Sequence, residues 1–385
     1  DLNFAIEKNV DFIFIAGDTF DSKEQDFNSK LILKEGLKKL DKAGIQVYLI
    51  CGNHDPITSY NKTTFNFDET SNIKIIGLNT PKYGKFIIKD KSGNDIAQVN
   101  AYSYFEDYIK ENPINFFEPA QIYNKKLFNI GLLHCDLDAD KSSPYYPVSK
   151  GELNSLNYDY WALGHIHVPF LDNNIVYTGT IQGRNTKETG SHGFRYLEVN
   201  NNSITNNLFI SIDTVRFENI KINLSNSVDT TSAYSLIREK IMEFITHNKT
   251  ENLKLFLVKL ILEGNTCFYS FINKEFYNII SENLKEDFDN LVYISKFINN
   301  TKPEINYELL QEDEGISGEL FRLITEENLD MAIENAENTF KNLLKNCNFS
   351  DSEHVEFLER IKKSAKDKCL IIANTVYNNE SDKEE

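Results

Sequence analysis

The sequence predicts an α/β fold, in which buried parallel strands alternate with helices. Short apolar runs at 10–15 and 45–50 each end at a glycine, which is typical of strands buried in a parallel sheet. Between them, leucines at helical spacing occupy 27–43, and Gly44 follows as a helix-ending residue. Because the carboxyl ends of parallel strands meet at one edge of a sheet, we expect the polar residues after these strands to share a crevice.

Residues 1–211 continue this pattern and are expected to form one domain. A helix that ends near Asn9 leads into the first strand. A hairpin is predicted around the turn Ser92-Gly93-Asn94, because alternating apolar residues flank it. Two strongly apolar segments lead directly into histidines, one at His134 and one at His165. The further predicted strands are 72–77, 86–89, 96–101, 129–133, 158–163, 174–179, 193–199 and 203–211.

The rest of the chain changes character. Residues 212–312 follow a β-α-β-α-β order, which predicts a second, small α/β domain. Residues 313–377 carry two one-sided apolar stripes, which predict C-terminal helices joined as a hairpin. Packing within the chain and docking to a partner both fit these stripes. The acidic stretch 378–385 is predicted to be a disordered tail.

The composition excludes some classes of function. The chain has 41 basic and 58 acidic residues, and its net charge of −17 argues against wide, charge-driven nucleic-acid binding by this chain alone. A local basic groove, or metal ions in an acidic pocket, is compatible with that charge. The sequence has no run of eighteen apolar residues, so it predicts no membrane span. Five scattered cysteines without a CxxC pair indicate reduced thiols and a cytoplasmic protein.

A divalent-metal site is predicted where the strands end. His165 and His167 are two residues apart, so on an extended segment both rings point the same way. Imidazole together with carboxylate suits Mn, Fe or Zn. A carboxylate such as Asp18 can bridge two metals about 3.5–4 Å apart, the arrangement that supports in-line attack at phosphorus. With these histidines present, helix capping by Asp18 and Asn53 is the less favoured alternative. The candidate ligands are Asp18, Asn53, His134, His165 and His167.

Other polar residues near these ligands are candidates for catalysis and substrate binding. His54 could contact a phosphate and protonate the leaving oxygen. Asp55 or Asp21 could accept a hydrogen bond from an imidazole and fix its tautomer. We therefore take His54 and Asp55 as the catalytic candidates. Arg184 lies in a glycine-rich loop, where both phosphate binding and a turn salt bridge fit it.

Several chemically capable residues are expected to have structural roles. Cys51 and Cys135 flank candidate ligands, but small residues at strand ends are expected to pack in the core. Stacking on unpaired bases is open to the aromatic residues Tyr102, Tyr104, Phe105 and Tyr108, although an aromatic core under a loop is favoured. Surface positions are expected for His192, His247 and His354.

Four motifs, taken together and in order, resemble the signature of the calcineurin-like metallophosphoesterase superfamily. They are Gly17-Asp18-x-x-Asp21, Gly52-Asn53-His54-Asp55, the strand-borne His134 and Gly164-His165-x-His167. Finer similarity to SbcD/YhaO-type bacterial DNA-repair exonuclease subunits, with the YhaO-like type nearer, extends over nearly the whole chain. It lies in Gly179-Thr180-Ile181-Gln182-Gly183-Arg184, Glu188-Thr189-Gly190, Gly193-Phe194 and Gly318-Glu319-Leu320.

The resemblance implies a four-layer α-β-β-α sandwich with a capping domain at 212–312. It also implies two divalent metal ions, usually Mn, and nuclease activity on double- or single-stranded DNA ends. The implied partners are an SbcC/YhaN-type coiled-coil ATPase, which could dock at 313–377, and a second copy of the chain. By resemblance, Asp18 would bridge the metals, and His54 would be the catalytic histidine. One metal would take Asn53, His134 and His165, and the other would take His167.

One departure from the family pattern limits what we expect of the chain as written. The family opens with an Asp-x-His motif at the end of its first strand, and this sequence begins after that point. We therefore expect an N-terminally truncated sequence that lacks the first strand and has an incomplete first metal site. Its activity is expected to be weak or absent. The alternatives are a phosphoesterase for nucleotides or phosphoproteins, and a catalytically impaired scaffold.

Overall fold

A computed structural model of the chain describes residues 2–22, 26–61, 70, 72–78, 80–109, 112–120, 127–305, 307–325, 360 and 368–373. The chain divides into two compact units. The first comprises Asp1–Glu218 and Lys249–Leu257, and the second comprises Asn219–Asn248 and Val258–Glu385. The assignment of domains to 1–211, 212–312 and 313–377 stays a prediction.

A parallel three-stranded sheet opens the first unit. Its strands are β1 (Phe12–Ala16), β2 (Gln46–Ile50) and β3 (Ile73–Ile75), hydrogen-bonded in that order. The helices around it are α1 (Leu2–Glu7), α2 (Phe27–Lys42) and α3 (Ile57–Asn61). The Asp26 side chain caps α2 by accepting from the Ser29 backbone N–H, and Gly44 follows the helix with a φ of 69°. The helix and strands predicted in this region are confirmed.

A six-stranded sheet forms the second layer of strands. Its members are β4 (Tyr83–Lys89), β5 (Asp95–Tyr102), β6 (Phe128–His134), β9 (Tyr160–Gly164), β10 (Phe170–Asp172) and β11 (Ile175–Tyr177). They lie in the order β10-β11-β9-β6-β5-β4. β4 and β5 are the predicted hairpin, and β5, β6, β9 and β11 are parallel neighbours. The remaining elements of this unit are β7 (Asp136–Leu137), β8 (Pro147–Val148), α4 (Lys150–Ser155), β12 (Gly193–Asn200) and β13 (Ser203–Ser211).

The two sheets pack face to face, and helices cover their outer faces. Ile50 of β2 shares one buried cluster with Val99 of β5 and Ile130 of β6. On the other face of the first sheet, Leu37 and Leu40 of α2 pack in one cluster with Leu49 of β2. On the other face of the second sheet, Leu153 of α4 packs near Trp161 of β9. The resulting order is helix, sheet, sheet, helix, and the predicted α/β sandwich is confirmed.

The second unit contains alternating strands and helices. Its elements are β14 (Val215–Asn223), α5 (Thr230–Asn248), β15 (Leu255–Thr266), α6 (Lys274–Asp287), β16 (Val292–Pro303), α7 (Tyr307–Glu312) and α8 (Ile316–Thr325). The first residues of β14 and of β15 belong to the first unit. The three strands form a sheet in the order β14-β15-β16, and this alternation matches the β-α-β-α-β pattern of the sequence. Leu370 and Ala373 pack with Leu310 and Phe321.

Most of the two predicted C-terminal stripes, together with His354 and the tail at 378–385, lies outside the described residues. Among the helices that the structure describes, none is both long and apolar enough to cross a membrane.

Replacing Trp161 tests the outer core of the second sheet. Its ring is fully buried and stacks on Tyr158, with ring centroids 4.8 Å apart. We expect Trp161→Ala to lower the free energy of unfolding by about 3–5 kcal/mol, because it leaves a large cavity. Ile32→Ala is the control, since that side chain is 70% exposed, and a change within about 0.5 kcal/mol is expected. Denaturant titration followed by circular dichroism measures both, and equal losses would contradict the assigned core.

Candidate metal centre

The site forms where three strand ends meet, and glycines permit the close approach. Gly17 follows β1 with a φ of 86°, and a Cβ on it would lie 2.5 Å from Nδ1 of His134 at the end of β6. A Cβ on Gly164, the last residue of β9, would lie 1.8 Å from the Ala16 carbonyl oxygen. The ends of β1, β6 and β9 are therefore packed too closely for a larger residue at these two positions.

Four of the five predicted ligands converge at these strand ends. Nε2 of His134 lies 3.0 Å from Oδ1 of Asn53 and 3.3 Å from Oδ2 of Asp18. Nδ1 of His165 lies 3.1 Å from the same Asn53 oxygen. Ligand atoms that share an ion at about 2.1 Å stand roughly 3.0–3.4 Å apart in octahedral or tetrahedral geometry. The observed spacings therefore fit a divalent cation among these four side chains.

The tautomer of His134 also fits a cation. Its Nδ1 lies 2.8 Å from the Ala16 carbonyl oxygen, which can only accept, so Nδ1 carries the proton of the neutral ring. Nε2 then presents a lone pair to the oxygens of Asp18 and Asn53. A nitrogen lone pair that faces oxygen lone pairs is repelled unless a proton or a metal ion lies between them. A metal ion would satisfy all of these groups at once.

The pKa values of two ligands favour the forms that bind metal. Burial, and then the nearby His134, lower the pKa of His165 to about 4, so its ring is neutral at pH 7. Burial raises the pKa of Asp18, but the neighbouring His134 and the hydrogen bond from the His54 backbone N–H outweigh it and hold this pKa below its ordinary value. Asp18 is therefore a carboxylate, and His165 offers a lone pair.

Asp55 is fully buried and joins the loops that follow β1 and β2. Its carboxylate accepts backbone hydrogen bonds from Gly52 (2.8 Å), Asp18 (3.1 Å), Thr19 (2.8 Å) and Phe20 (3.3 Å). Burial raises the pKa of Asp55 to about 6, against the opposing effect of these hydrogen bonds. The contacts make Asp55 a support for the Asp18 loop, and its catalytic role stays a prediction.

His54 is exposed and lies directly beside the ligands. Its backbone N–H donates to Oδ1 of Asp18 at 2.9 Å, which orients the carboxylate. Its Nδ1 lies 3.0 Å from the backbone carbonyl oxygen of Asp21. Because a carbonyl only accepts, Nδ1 is protonated and Nε2 is the nitrogen left to face a substrate. Asp21 thus fixes an imidazole, as the sequence suggested, but through its main chain.

His167, the fifth predicted ligand, has a carboxylate partner of its own. Its Nδ1 lies 2.9 Å from Oε1 of Glu188, and Nη2 of Arg184 lies 3.3 Å from that same oxygen. The pair with Glu188, four residues away, is the salt bridge predicted for a turn, whereas Arg184 also pairs with the carboxylate of Asp21, 163 residues away in the chain. Phosphate binding by Arg184 stays a prediction. Burial raises the pKa of Glu188, but His167 and Arg184 outweigh it and lower this pKa to about 2.

One cleft brings His54 and His167 beside the ligands Asp18, Asn53 and His165, while His134, next to them, is fully buried. The residues that line the cleft are Asp18, Asn53, His54, Tyr145, His165, Ile166 and His167. Tyr145 packs its ring against His165, with centroids 5.0 Å apart. Sequence patterns did not single out Glu188 as a site residue. A carboxylate four residues beyond Arg184 in the same glycine-rich loop is the signal that could have found it.

The residues expected to be structural divide into confirmed and corrected cases. Cys51 and Cys135 are buried, and so are Tyr102 and Tyr104, whereas Phe105 and Tyr108 are 46% and 65% exposed. The aromatic core is thus confirmed for the first two rings only.

The surface position expected for His192 is wrong, while His247 is exposed as expected. The His192 ring is buried because Nδ1 bonds to Thr180 Oγ1 at 2.9 Å and Nε2 lies 3.3 Å from the Glu188 carbonyl oxygen.

Comparison with known proteins agrees with this geometry. Residues 2–169 match the family of calcineurin-like phosphoesterases. The chain contains a calcineurin-like phosphoesterase domain. The cluster of Asp18, His134 and His165 lies within this phosphoesterase domain and is a candidate metal site, in a family that uses divalent metals.

Two curated relatives extend the similarity beyond this domain. The uncharacterized metallophosphoesterase YhaO of Bacillus subtilis is 30% identical over 246 residues, which cover 62% of this chain and 57% of YhaO. The SbcD component of the nuclease SbcCD of Staphylococcus epidermidis is 26% identical over 243 residues, which cover 54% of this chain and 61% of that protein. The chain thus spans about three fifths of the length of these relatives.

Gly52→Ala tests how tightly the ligands are packed. A Cβ at this position would lie 2.1 Å from Oδ1 of Asp18, so the carboxylate must move. We expect Mn²⁺ affinity to fall by on the order of 10–100-fold, as for other changes that misorient a ligand. Gly151→Ala is the matched control, because its Cβ would have 3.9 Å of clearance. Isothermal titration measures both, and unchanged affinity in Gly52→Ala would contradict a metal site at Asp18.

Proposed function

We propose that the protein hydrolyses phosphodiester bonds at DNA ends in a metal-dependent reaction. The observation that carries this proposal is the convergence of Asp18, Asn53, His134 and His165, with His54 beside them in one cleft. Carboxylate, amide and imidazole groups can hold a metal ion, and Nε2 of His54 beside them can face a substrate. This combination suits hydrolysis at phosphorus.

The proposed reaction uses two divalent ions, and Mn is the proposed metal. Asp18, Asn53, His134 and His165 would hold one ion, and Asp18 with His167 would contribute to the other. Bound metal supplies a nucleophilic hydroxide at neutral pH and neutralises charge on the phosphate oxygens. The protein itself keeps the ligands deprotonated, since the pKa of His165 is lowered to about 4 and that of Asp18 also lies below its ordinary value.

His54 would act on the substrate rather than on the metal. The Asp21 carbonyl holds Nδ1 in its protonated form, so the ring offers Nε2 to the cleft. In its protonated state this nitrogen can contact a phosphate oxygen and pass a proton to the leaving oxygen. Asp55 would hold the loop that carries Asp18 in place during this step. Arg184 could bind a phosphate if its ion pair with the exposed Asp21 opens.

The choice of DNA as substrate rests on the relatives. One of them is named as part of a nuclease, and the similarity to it covers residues beyond the phosphoesterase domain. A coiled-coil ATPase of the SbcC/YhaN type is the proposed partner, and DNA repair in the cytoplasm is the proposed setting. With a net charge of −17, the chain would need metal ions or a partner to approach a polyanion.

A comparison of substrates tests the proposal. The protein is incubated with Mn²⁺ and either end-labelled duplex DNA or a small aryl phosphodiester. Release of labelled nucleotides, abolished by a chelator, is the expected result. Turnover of the small ester, a nucleotide or a phosphoprotein, with intact DNA, would overturn the nuclease assignment.

His54→Ala separates catalysis from metal binding. We expect Mn²⁺ affinity to stay within twofold, because the ring of His54 is not among the proposed ligands. Turnover should fall by about 10²–10⁴-fold, the usual contribution of a general acid or base. His247→Ala, on the exposed face of α5, is the control and should leave both quantities unchanged. Parallel loss of metal and turnover in His54→Ala would instead make His54 a ligand.

A further inference from the structure

We infer that Glu188 is a positioning residue. It orients the ring of His167 so that this ring can bind a metal ion, and it holds Arg184 in the position from which Arg184 contacts Asp21. This inference rests on the proposed function, because it assigns Glu188 a role in the same site. It concerns a side chain that lies outside the cleft lining and that ligand spacing alone does not reveal.

Glu188 orients the ring of His167. Its Nδ1 lies 2.9 Å from Oε1 of Glu188 and 2.9 Å from Nη2 of Arg184. A ring nitrogen cannot both donate and accept, and the guanidinium can only donate. The guanidinium has another acceptor, because Nη2 of Arg184 also donates to Oε1 of Glu188. A lone pair on Nδ1 would instead face the negative carboxylate at 2.9 Å, so donation from Nδ1 to Glu188 is favoured. Nδ1 therefore carries the proton, and Nε2 keeps the lone pair that a metal requires.

Glu188 also holds Arg184 in position. Oε2 of Glu188 accepts the backbone N–H of Arg184 at 2.9 Å, while Oε1 receives Nε at 3.4 Å and Nη2 at 3.3 Å. Nδ2 of Asn185 is 3.3 Å from the same Oε1. The Glu188 side chain is only 9% exposed, so water competes little for these bonds. One carboxylate thus orders both the backbone and the side chain of Arg184.

Arg184 also connects Glu188 with Asp21 and, through it, with His54. Arg184 Nη1 pairs with the carboxylate of Asp21. The backbone carbonyl of Asp21 in turn holds Nδ1 of His54 at 3.0 Å. A continuous chain of contacts therefore runs from Glu188 through Arg184 and Asp21 to His54, while a direct bond joins Glu188 to His167.

The backbone of Glu188 is itself held by His192. The buried His192 places Nε2 3.3 Å from the Glu188 carbonyl oxygen and Nδ1 2.9 Å from Oγ1 of Thr180. A Cβ on Gly183 would lie 3.0 Å from the same His192 ring. The backbone that carries Glu188 is therefore fixed by a buried side chain, which is what a positioning residue requires.

Nitrogen NMR of the histidine rings tests the inference without any turnover. The metal-free 385-residue chain is measured at pH 8, and His167→Gln assigns the His167 signal. We expect a single Nδ1–H tautomer in the unsubstituted chain and in Glu188→Gln, which keeps an acceptor oxygen. Glu188→Ala should give both tautomers in exchange. An Nε2–H tautomer in the unsubstituted chain, or no change in Glu188→Ala, would overturn the inference.

Turnover by the protein adds a second readout. Glu188→Ala should lower kcat more than it changes KM, and Glu188→Gln should recover at least part of the loss. Glu198→Gln, an exposed residue on β12, is the matched control and should behave as the unsubstituted protein. Full activity in Glu188→Ala would overturn the inference. The expected ring tautomers in a protein that leaves DNA intact would refute the nuclease proposal but retain the positioning role.

Discussion

The buried carboxylate of Asp55 is the interaction on which the rest of the site depends. It accepts hydrogen bonds from backbone N–H groups in the loop after β1 and in the loop after β2. These bonds join two loops that are distant in the sequence. Without this acceptor, those buried N–H groups would lose their partners, at a cost of roughly 1–3 kcal/mol each. Asp18 then stands at a fixed distance from Asn53 and His134. The metal centre is therefore a property of the loops as much as of its ligands.

Sequence patterns predicted the elements and the candidate ligands because both are read from short stretches of the chain. Apolar runs located β1, β2, β6 and β9, and four of the five candidate ligands lie together after them. The supporting contacts could not be predicted, because they join residues distant in sequence. Asp55 reaches back 37 residues to Asp18, and Glu188 reaches back 21 residues to His167. His192 was misplaced for a related reason: its polar ring is buried only because Thr180 and the Glu188 carbonyl satisfy its nitrogens.

The charge of the chain bears on how it could act on the proposed polyanionic substrate. The net charge of −17 is spread over the whole sequence, whereas the cleft brings together imidazoles, one carboxylate and an amide. Bound cations would add the positive charge that attracts phosphate. Arg184, held between Asp21 and Glu188, is the protein's own positive charge nearest to His167 among the described contacts. Substrate attraction and catalysis would then depend on the same ions.

The close packing at Gly164 has a consequence for dynamics. β9 approaches the Ala16 carbonyl with no space for a methyl group. Moving the ends of β1 and β9 apart would therefore disturb the packing between the two sheets. Local opening of the site would then require the free energy of opening the sandwich. Amide hydrogens around Ala16 and His134 are then expected to exchange slowly. Folding and formation of the metal pocket are, on this view, a single cooperative event.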